Sequence, residues 1–165
     1  EILLSSDSPV GISKSMGLAF ISLSESLKKL NPDILVVLGD RYEIFSAASV
    51  AMILNIPIAH IHGGEATEGL IDEPIRHSIT KMSHIHLTSN DEYRKRVIQL
   101  GENPKSVFNT GTPGIDNLFK LKLLNKTELE ESLSFKLGKL NFIVTFHPVT
   151  LENNTSKIIY INSLT

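Results

Sequence analysis

The chain of 165 residues contains no cysteine, which excludes disulfide bonds and thiolate metal sites and is compatible with a reducing compartment. It also lacks a run of lysine or arginine, and its formal charge of -2 disfavours nucleic acid or a membrane surface as a partner. No apolar run approaches the ~20 residues that cross a bilayer, and the first residues lack the basic start of a signal peptide. What is present, 41% hydrophobic and 21% charged residues, is typical of a folded protein with a core. We therefore expect a soluble, cytoplasmic protein that binds a small polar ligand.

Helical and strand-like patterns alternate along most of the chain. Apolar residues from Ile12 to Leu30 recur at intervals of three and four, which predicts a helix with a core-facing stripe, beginning near Ser8 and Pro9. The segment DILVVLG predicts a strand that is buried on both faces. Three later segments, IPIAHIH, HIHLTS and SVFNTG, predict further strands, with helical segments between them. This order predicts right-handed βαβ crossovers and a parallel sheet, so the expected fold class is α/β.

The character of the sequence changes near Leu124, where we expect a domain boundary. A charged, helical segment follows, and FIVTFHPVTLENN then predicts a new buried strand. The residues after the boundary are too few to complete an α/β domain, which needs roughly 100 residues or more. The apolar start ILL and the end KIIYINSLT resemble parts of elements more than finished termini. We therefore expect the chain to be a fragment.

Polar residues follow several predicted strands, in a fold class where ligands bind beyond the carboxyl ends of the strands. Asp40 follows ILVVLG, Glu65 follows IPIAHIHGG, Asn109 and Thr110 follow SVF, and His147 follows FIVTF. These side chains are expected at one edge of the sheet. Strand ends are polar in many proteins, however, and Asp40 alternatively caps the next helix, a role worth about 1 kcal/mol.

The densest polar stretch is HIHGGEATEGLIDEPIRHS, residues 60–78. The paired glycines Gly63–Gly64 permit either a plain turn or a close approach of the backbone to a ligand. In the helix that follows, Asp72 lies one turn from Arg76, and Glu73 lies one turn from His77. Each pair is either part of a binding site or a combination of helix capping and a surface ion pair worth at most ~1 kcal/mol.

Two His-x-His pairs, His60 with His62 and His84 with His86, lie in predicted strands, so each pair is expected to project from one face. This spacing suits a zinc site. Histidines in central strands are more often hydrogen-bonded core residues, and we expect that role here.

Four segments carry a resemblance to a known family: VVLGDRYE, HIHGGEATEGLIDEPIRHSITKMSHIH, TGTPGIDNL and VTFHPVTLE. Their sequence and order resemble the hydrolysing UDP-N-acetylglucosamine 2-epimerases of sialic and nonulosonic acid biosynthesis. The resemblance implies a two-domain fold of the type B glycosyltransferase kind, with the active site in a cleft between Rossmann-like domains. Residues 1–124 would then form most of the N-terminal Rossmann-like domain, and residues 125–165 the truncated start of the C-terminal nucleotide-binding domain. The fragment alone is expected to be inactive.

The resemblance implies conversion of UDP-N-acetylglucosamine to N-acetylmannosamine and UDP. UDP leaves C1 while the C2 proton is removed, water adds to the resulting 2-acetamidoglucal, and C2 is reprotonated from the opposite face. The family's reaction implies a UDP-sugar as the binding partner, with no cofactor and no metal. We also expect a homo-oligomer.

The resemblance also assigns roles to residues. Asp40 matches a carboxylate implicated in proton transfer, Asp72 and Arg76 match an acid–arginine pair, and His147 matches a histidine near the phosphates. His62 stands where many relatives carry a glutamate that is a candidate catalytic acid or base. An imidazole can take that role because it generally titrates near neutrality, or the role falls to Glu65. The expected catalytic residues are Asp40, His62, Glu65, Asp72, Arg76 and His147, and the expected substrate-binding residues are Arg41, Gly63, Gly64, Glu73 and His77.

Several alternatives remain open at the level of sequence. The change at His62 leaves the identity of the substrate open, and the same reaction on a UDP-diacetamido sugar of the bacillosamine type, as in a legionaminic acid pathway, is a serious alternative. A non-hydrolysing 2-epimerase, a metal-dependent hydrolase that uses the His-x-His pairs, and a non-catalytic sugar-nucleotide-binding or partner-docking fragment are the other classes.

Overall fold

The computed structural model describes residues 8–67 and 71–145. The chain divides into two compact units, residues 1–111 and residues 112–165. Each unit is described separately below. The domain boundary expected near Leu124 stays a prediction.

The first described element of this unit is helix α1, Pro9–Leu30, as the apolar spacing predicts. The Ser8 side chain accepts a hydrogen bond from the Gly11 amide and caps the helix, and Pro9 occupies the first turn, where its missing N–H costs nothing. Asn31 ends the helix in a left-handed conformation. The predicted apolar stripe packs on the next helix, except that Leu30, in the last turn, is 73% exposed.

Strands and helices then alternate to the end of the unit. The elements are β1 (Leu35–Leu38), α2 (Tyr42–Ile53), β2 (Ile58–Ile61), α3 (Asp72–Met82), β3 (Ile85–Thr88), α4 (Asp91–Gln99), a 3-10 turn (Pro104–Ser106) and β4 (Val107–Asn109). The strands form one parallel sheet in the order β1-β2-β3-β4. The predicted α/β class is therefore confirmed.

The core lies where α2 and α3 pack on β1 and β2. Ile58 and Ile79 are completely buried in it, as is Ala48, whose small side chain permits close packing of α2. Because consecutive parallel strands pair side by side, the carboxyl ends of β1, β2 and β3 lie next to one another. That edge carries most of the polar residues singled out from the sequence.

The prediction that β1 is buried on both faces is wrong for the described residues. Val37 is buried against the core, but Val36 and Leu38 on the opposite face are 57% and 54% exposed. The reason is positional: β1 lies at one end of the order of the described strands, and the helix that packs on it, α2, covers one face.

The second unit contains α5 (Pro113–Lys120) and α6 (Lys126–Leu133). Asn125 and Glu128 form a reciprocal capping box that fixes the start of α6. The new strand predicted at FIVTF is not observed in its described part, because residues 142–145 pair with no described strand, and Phe142, Ile143 and Val144 are exposed.

Among residues 8–67 and 71–145, no helix combines the length and the apolar character that a membrane crossing requires.

Candidate active site

The candidate site lies at the carboxyl edge of the sheet in the first unit. Asp40 follows β1 by two positions, the segment from His62 to Thr67 follows β2, and Ser89 follows β3 directly. The side chain of Arg76, from the second turn of α3, joins this edge from the side. Polar groups from three strand ends and one helix thus meet where parallel sheets commonly bind ligands.

Arg76 is the central cation of this cluster. Its side chain is 5% exposed and forms an ion pair with the Asp40 carboxylate. Its other contacts are to the loop after β2: Nη1 donates to the Glu65 carbonyl at 2.8 Å and Nη2 donates to the Thr67 hydroxyl at 3.0 Å. Burial lowers the pKa of Arg76, but a guanidinium remains charged at any physiological pH. A buried cation of this kind stabilises the fold only while its carboxylate partner is present.

These contacts change two readings of the sequence. Helical spacing predicted Asp72 as the partner of Arg76, yet among the described residues the guanidinium takes Asp40, 36 positions away, as its carboxylate partner. The capping alternative for Asp40 also fails, because α2 begins at an Arg41 N-cap without a side-chain cap hydrogen bond. Asp72 is the first residue of α3, where its charge complements the helix dipole.

His62 and Glu65 form a second contact pair. The His62 Nδ1 atom lies 2.9 Å from Glu65 Oε1, and the Ser89 hydroxyl donates to the same oxygen at 3.0 Å. The His62 backbone has a φ of 68°, a left-handed conformation that is uncommon for a residue with a side chain. The structure therefore brings together the two residues that the sequence offered as alternatives.

Glu73 and His77 lie one helical turn apart, as predicted. His77 Nε2 is 3.6 Å from Glu73 Oε1, and the other Glu73 oxygen accepts the Thr67 amide at 2.8 Å. Glu73 thus holds the loop after β2 against the start of α3. A role for Glu73 and His77 in substrate binding stays a prediction.

Close packing explains why residues 63 and 64 are glycines. Gly64 has a φ of 81°, and a β-carbon there would lie 2.4 Å from the Tyr93 carbonyl oxygen. A β-carbon at Gly63 would lie 3.1 Å from both His60 Nδ1 and Thr80 Oγ1. The glycines let the chain turn tightly against α4 and β2, and contact between them and a substrate stays a prediction.

The His-x-His pairs do not lie as the strand pattern predicted. His62 follows β2 in a left-handed conformation, and His84 precedes β3 and is exposed, so each pair has only one strand residue. His60 and His86 are completely buried. No group of three His, Asp or Glu side chains suited to a metal ion occurs in the described part of the chain.

His60 is a hydrogen-bonded core residue. Its Nε2–H donates to the Gly39 carbonyl at 2.8 Å, which leaves Nδ1 to accept from the Thr80 hydroxyl at 3.2 Å. Burial is the main cause that lowers the pKa of His60 to about 4, with smaller contributions from the nearby histidines 86 and 62. His60 is therefore neutral at pH 7.

Three other residues singled out from the sequence either make different contacts or lie beyond the described residues. Arg41 is 70% exposed and pairs with Glu43 through two nitrogens at 3.1 and 3.2 Å. Asn109 donates to the Asp91 carboxylate at 3.0 Å. His147 lies outside the described residues, so its predicted role near the phosphates is untested.

Two contact residues were missed by sequence reasoning. Ser89 was included in the predicted strand HIHLTS, but the observed strand β3 ends at Thr88. A polar residue at the end of a predicted strand was the signal that could have placed Ser89 at the carboxyl edge, where it contacts Glu65. Thr67 lies in the loop between β2 and α3, and its contacts to Arg76 and Glu73 depend on tertiary packing.

Comparison with known proteins identifies the class to which this arrangement belongs. The profile of the UDP-N-acetylglucosamine 2-epimerase family matches residues 1–164. The chain therefore belongs to this family, as the sequence motifs predicted.

Two individual curated proteins are similar to the chain over most of its length. Over 94% of its length the chain is 48% identical to a GDP/UDP-N,N'-diacetylbacillosamine 2-epimerase (hydrolyzing) of Campylobacter jejuni, and over 94% it is 50% identical to the polysialic acid biosynthesis protein P7 of Escherichia coli. The aligned regions cover 41% and 39% of those two proteins. The chain thus spans about two fifths of the length of these relatives.

Solved structures support the fold. A UDP-GlcNAc 2-epimerase from Neisseria meningitidis bound to UDP-GlcNAc aligns with a TM-score of 0.69 and 24% identity, over 81% of this chain and 38% of that one. A UDP-N-acetylglucosamine 2-epimerase from Rickettsia bellii aligns with a TM-score of 0.68 and 25% identity, over 81% of this chain and 36% of that one. The parallel α/β unit is the fold of these enzymes.

Proposed function

We propose that the chain provides one wall of the active site of a hydrolysing 2-epimerase that acts on a UDP-linked 2-acetamido sugar. The observation that carries the proposal is the convergence of Asp40, Arg76 and the Glu65 loop at the carboxyl edge of the parallel sheet. A reaction that removes and returns a proton at C2 needs charged side chains held in fixed positions near the sugar. The ion pair and the hydrogen bonds of Arg76 provide that fixation.

In this proposal the site is built from the residues that the family motif indicates. Asp40 and Arg76 form a charge pair beside the sugar, His62 and Glu65 form a proton-transfer pair, and Asp72 lies at the start of α3 within the same segment. Carboxylates near C1 would stabilise positive charge as UDP departs. The paired glycines, Arg41, Glu73 and His77 would contact the substrate, and His147 would offset phosphate charge.

Two sugars are the candidate substrates: UDP-N-acetylglucosamine and UDP-N,N'-diacetylbacillosamine. The second is favoured by two relatives named as 2-epimerases of diacetylbacillosamine, the Campylobacter jejuni protein and a Legionella pneumophila protein that is 34% identical over 89% of this chain. The first is favoured by a Neisseria meningitidis UDP-N-acetylglucosamine 2-epimerase that is 36% identical over 87% of this chain. Both sugars carry the 2-acetamido group and the UDP leaving group, so the chemistry at C1 and C2 is shared.

We further propose a two-domain architecture of the type B glycosyltransferase kind, a homo-oligomeric assembly and a cytoplasmic location. The two-domain proposal is supported by the share of the relatives' length that this chain covers. The location is supported by the absence of cysteine, which fits a reducing compartment.

The test is to incubate the gene product that carries this chain with each UDP-sugar and to measure free UDP and free sugar by chromatography. Release of UDP together with the free 2-epimer supports the proposal. A UDP-linked epimer instead identifies the non-hydrolysing reaction. Loss of activity after chelation, with recovery on adding zinc, would favour a metal-dependent hydrolase, and binding without turnover would favour a non-catalytic role.

A matched pair of variants tests the site. Asp40→Asn should reduce turnover by ~100-fold or more, because the amide keeps the volume of the side chain but loses the negative charge that pairs with Arg76 beside the sugar. Asp33→Asn, the same change at an exposed position before β1, should leave turnover unchanged. Equal rates in the two variants would contradict the site.

A further inference from the structure

Gly39 joins strand β1 to Asp40, and its conformation is held from outside the strand. Its φ is 83°, and a β-carbon built there would meet no atom of the described chain within 4 Å, its neighbours in sequence aside. The position therefore favours glycine for its backbone freedom, and such a residue does little to fix the peptide group that follows it. Two hydrogen bonds do so instead: the Gly39 amide donates to the Ile61 carbonyl at 3.0 Å, and the Gly39 carbonyl accepts from His60 Nε2 at 2.8 Å. Because this carbonyl belongs to the Gly39–Asp40 peptide group, its orientation sets the direction in which the Asp40 side chain leaves the end of β1.

The other ring nitrogen of His60 binds helix α3. A carbonyl only accepts hydrogen bonds, so Nε2 carries the proton, and Nδ1 accepts from the Thr80 hydroxyl at 3.2 Å. Thr80 lies one helical turn after Arg76, so the two side chains share a face of α3, and both are buried. His60 thus connects the turn that carries Asp40 to the helix that carries Arg76, in addition to the direct ion pair between those two residues.

The packing around this connection leaves the His60 ring little freedom. The ring and the Thr80 side chain are completely buried, and a β-carbon at Gly63 would lie 3.1 Å from both His60 Nδ1 and Thr80 Oγ1. The backbone of the paired glycines therefore lies directly against the hydrogen bond between His60 and Thr80. A buried polar network in which each member has its partners rigidifies the elements that it joins. The elements joined here are the end of β1 and the middle of α3, which carry the charges of the candidate site.

We propose that His60 and Thr80 are positioning residues, which fix the Gly39–Asp40 peptide group and thereby hold the Asp40 carboxylate in its place beside the sugar. This role rests on the proposed 2-epimerase function. The ion pair keeps Asp40 and Arg76 together, and the His60 connection determines where the pair lies at the carboxyl edge. Both positioning side chains are completely buried, so they act through Asp40 and not on the sugar itself. A displacement of about 1 Å at a reacting centre can cost ~100-fold in rate, so this support matters for turnover.

The first experiment needs no substrate and compares crystal structures of the gene product that carries this chain. In His60→Leu the Gly39 carbonyl loses its donor, and we expect the Gly39–Asp40 peptide group to rotate and the Asp40 carboxylate to leave Arg76. In His60→Gln the amide can donate to Gly39 and accept from Thr80, so the arrangement of the wild type should be kept. An unchanged peptide group in His60→Leu would overturn the proposal.

The second experiment measures kcat and KM with both UDP-sugars. His60→Leu should lower kcat roughly 30-fold and Thr80→Val about fivefold, with KM little changed, because the alignment of Asp40 matters most when charge develops in the transition state. His60→Gln and Thr80→Ser keep the hydrogen-bonding groups and should restore most of the rate. Ser83→Ala removes another buried hydroxyl of the same segment, one that donates to the Ile79 carbonyl, and should match the wild type. Thr80→Val also replaces His60→Leu as the test if the leucine variant does not fold, and equal kcat in Thr80→Val and Thr80→Ser would overturn the role of the hydroxyl.

A double-mutant cycle shows whether His60 acts through Asp40. Once Asp40→Asn has removed the carboxylate, its position no longer affects the rate, so adding His60→Leu should lower kcat less than about threefold. A merely structural His60 would give the same loss of roughly 30-fold in both backgrounds. Equal losses in the two backgrounds would therefore overturn the proposal.

The outcomes separate this role from the proposed function. If the wild type turns over a UDP-sugar but His60→Leu and Thr80→Val keep its kcat, the positioning role is wrong and the proposed function stands. If the wild type turns over neither sugar, the proposed function fails and the positioning role in that reaction fails with it. The crystal structures then still decide whether His60 fixes the Gly39–Asp40 peptide group.

Discussion

The completely buried His60 should make the sheet unit sensitive to acid. Its ring can accept a proton in the folded chain only by losing the hydrogen bond from Thr80 and by placing a charge in the core. Burial accordingly lowers the pKa of His60 to about 4, against roughly 6.5 for a histidine in an unfolded chain. The unfolded chain therefore binds more protons than the folded chain between these two values.

The direction and the size of the pH effect on stability follow from this difference in pKa. Stability contributed by neutral His60 is fully present above about pH 6.5 and is lost progressively as the pH falls towards 4. Each pKa unit is worth about 1.36 kcal/mol, so the total loss is about 3 kcal/mol. His86 acts in the same direction, because burial also lowers its pKa, although the neighbouring Glu102 opposes the effect.

Hydrogen exchange is a suitable assay, because it reports the opening of one segment whatever the length of the protein. The opening free energy of the peptide that contains β2 would be measured between pH 7.5 and 4.5, with correction for the intrinsic exchange rate. In His60→Gln the amide can donate to Gly39 and accept from Thr80, so we expect the pH slope to fall by about one proton.

The reasoning would be refuted by an opening free energy that does not change between pH 7 and pH 4.5. It would also be refuted if His60→Gln and the wild type had the same slope, since the titrating proton would then belong to another group.

Two further predictions concern packing and charge. Gly64→Ala should destabilise the first unit by roughly 2–5 kcal/mol, because the alanine would be strained at a positive φ and its β-carbon would lie too close to the Tyr93 carbonyl. Gly17→Ala is the control: it has open space in the middle of α1 and should stabilise the unit by about 0.5–1 kcal/mol. Thermal unfolding measures both effects. Arg76→Lys should keep the charge beside Asp40 but lose at least one of the two loop hydrogen bonds, so we expect turnover to fall by at least ~10-fold with a smaller loss of stability; equal turnover in the variant would show that the charge alone is sufficient.

The order of elements could be predicted from the sequence because local periodicity determines it. The stripe from Ile12 to Leu27, the polar cap at Ser8 and the short β-branched runs each carry a local signal, and the structure has the corresponding helix and strands. The exposure of Val36 and Leu38 could not be predicted in this way. Burial of a strand depends on which elements cover it, and this is a property of the whole sheet.

The position of several polar residues at the carboxyl edge of the sheet could be predicted, whereas their contacts could not. Polar positions after strands are visible in a sequence, so Asp40 and Glu65 could be identified as candidates. The pairing of Arg76 with Asp40 could not be predicted, because helical spacing indicates only neighbours on the same helix and the observed partner comes from the end of β1. The left-handed conformation of His62 was equally hidden, because the strand pattern continues through IPIAHIH.

The dense polar stretch after β2 is best understood as two groups of residues with different tasks. The Glu73 carboxylate accepts a hydrogen bond from the Thr67 amide, and the Gly64 carbonyl accepts one from Arg96 of α4. These two contacts hold the loop. Three nitrogens of the same stretch, His62 Nε2, Arg76 Nε and His77 Nδ1, are buried without a hydrogen-bond partner among the described residues, so an unpaired nitrogen does not by itself identify a reacting group. Loss of a holding contact should lower stability and turnover together, whereas loss of a side chain that acts only on the substrate should lower turnover alone. Comparing the two effects in each variant therefore separates the residues that build the loop from any residue that acts on the substrate.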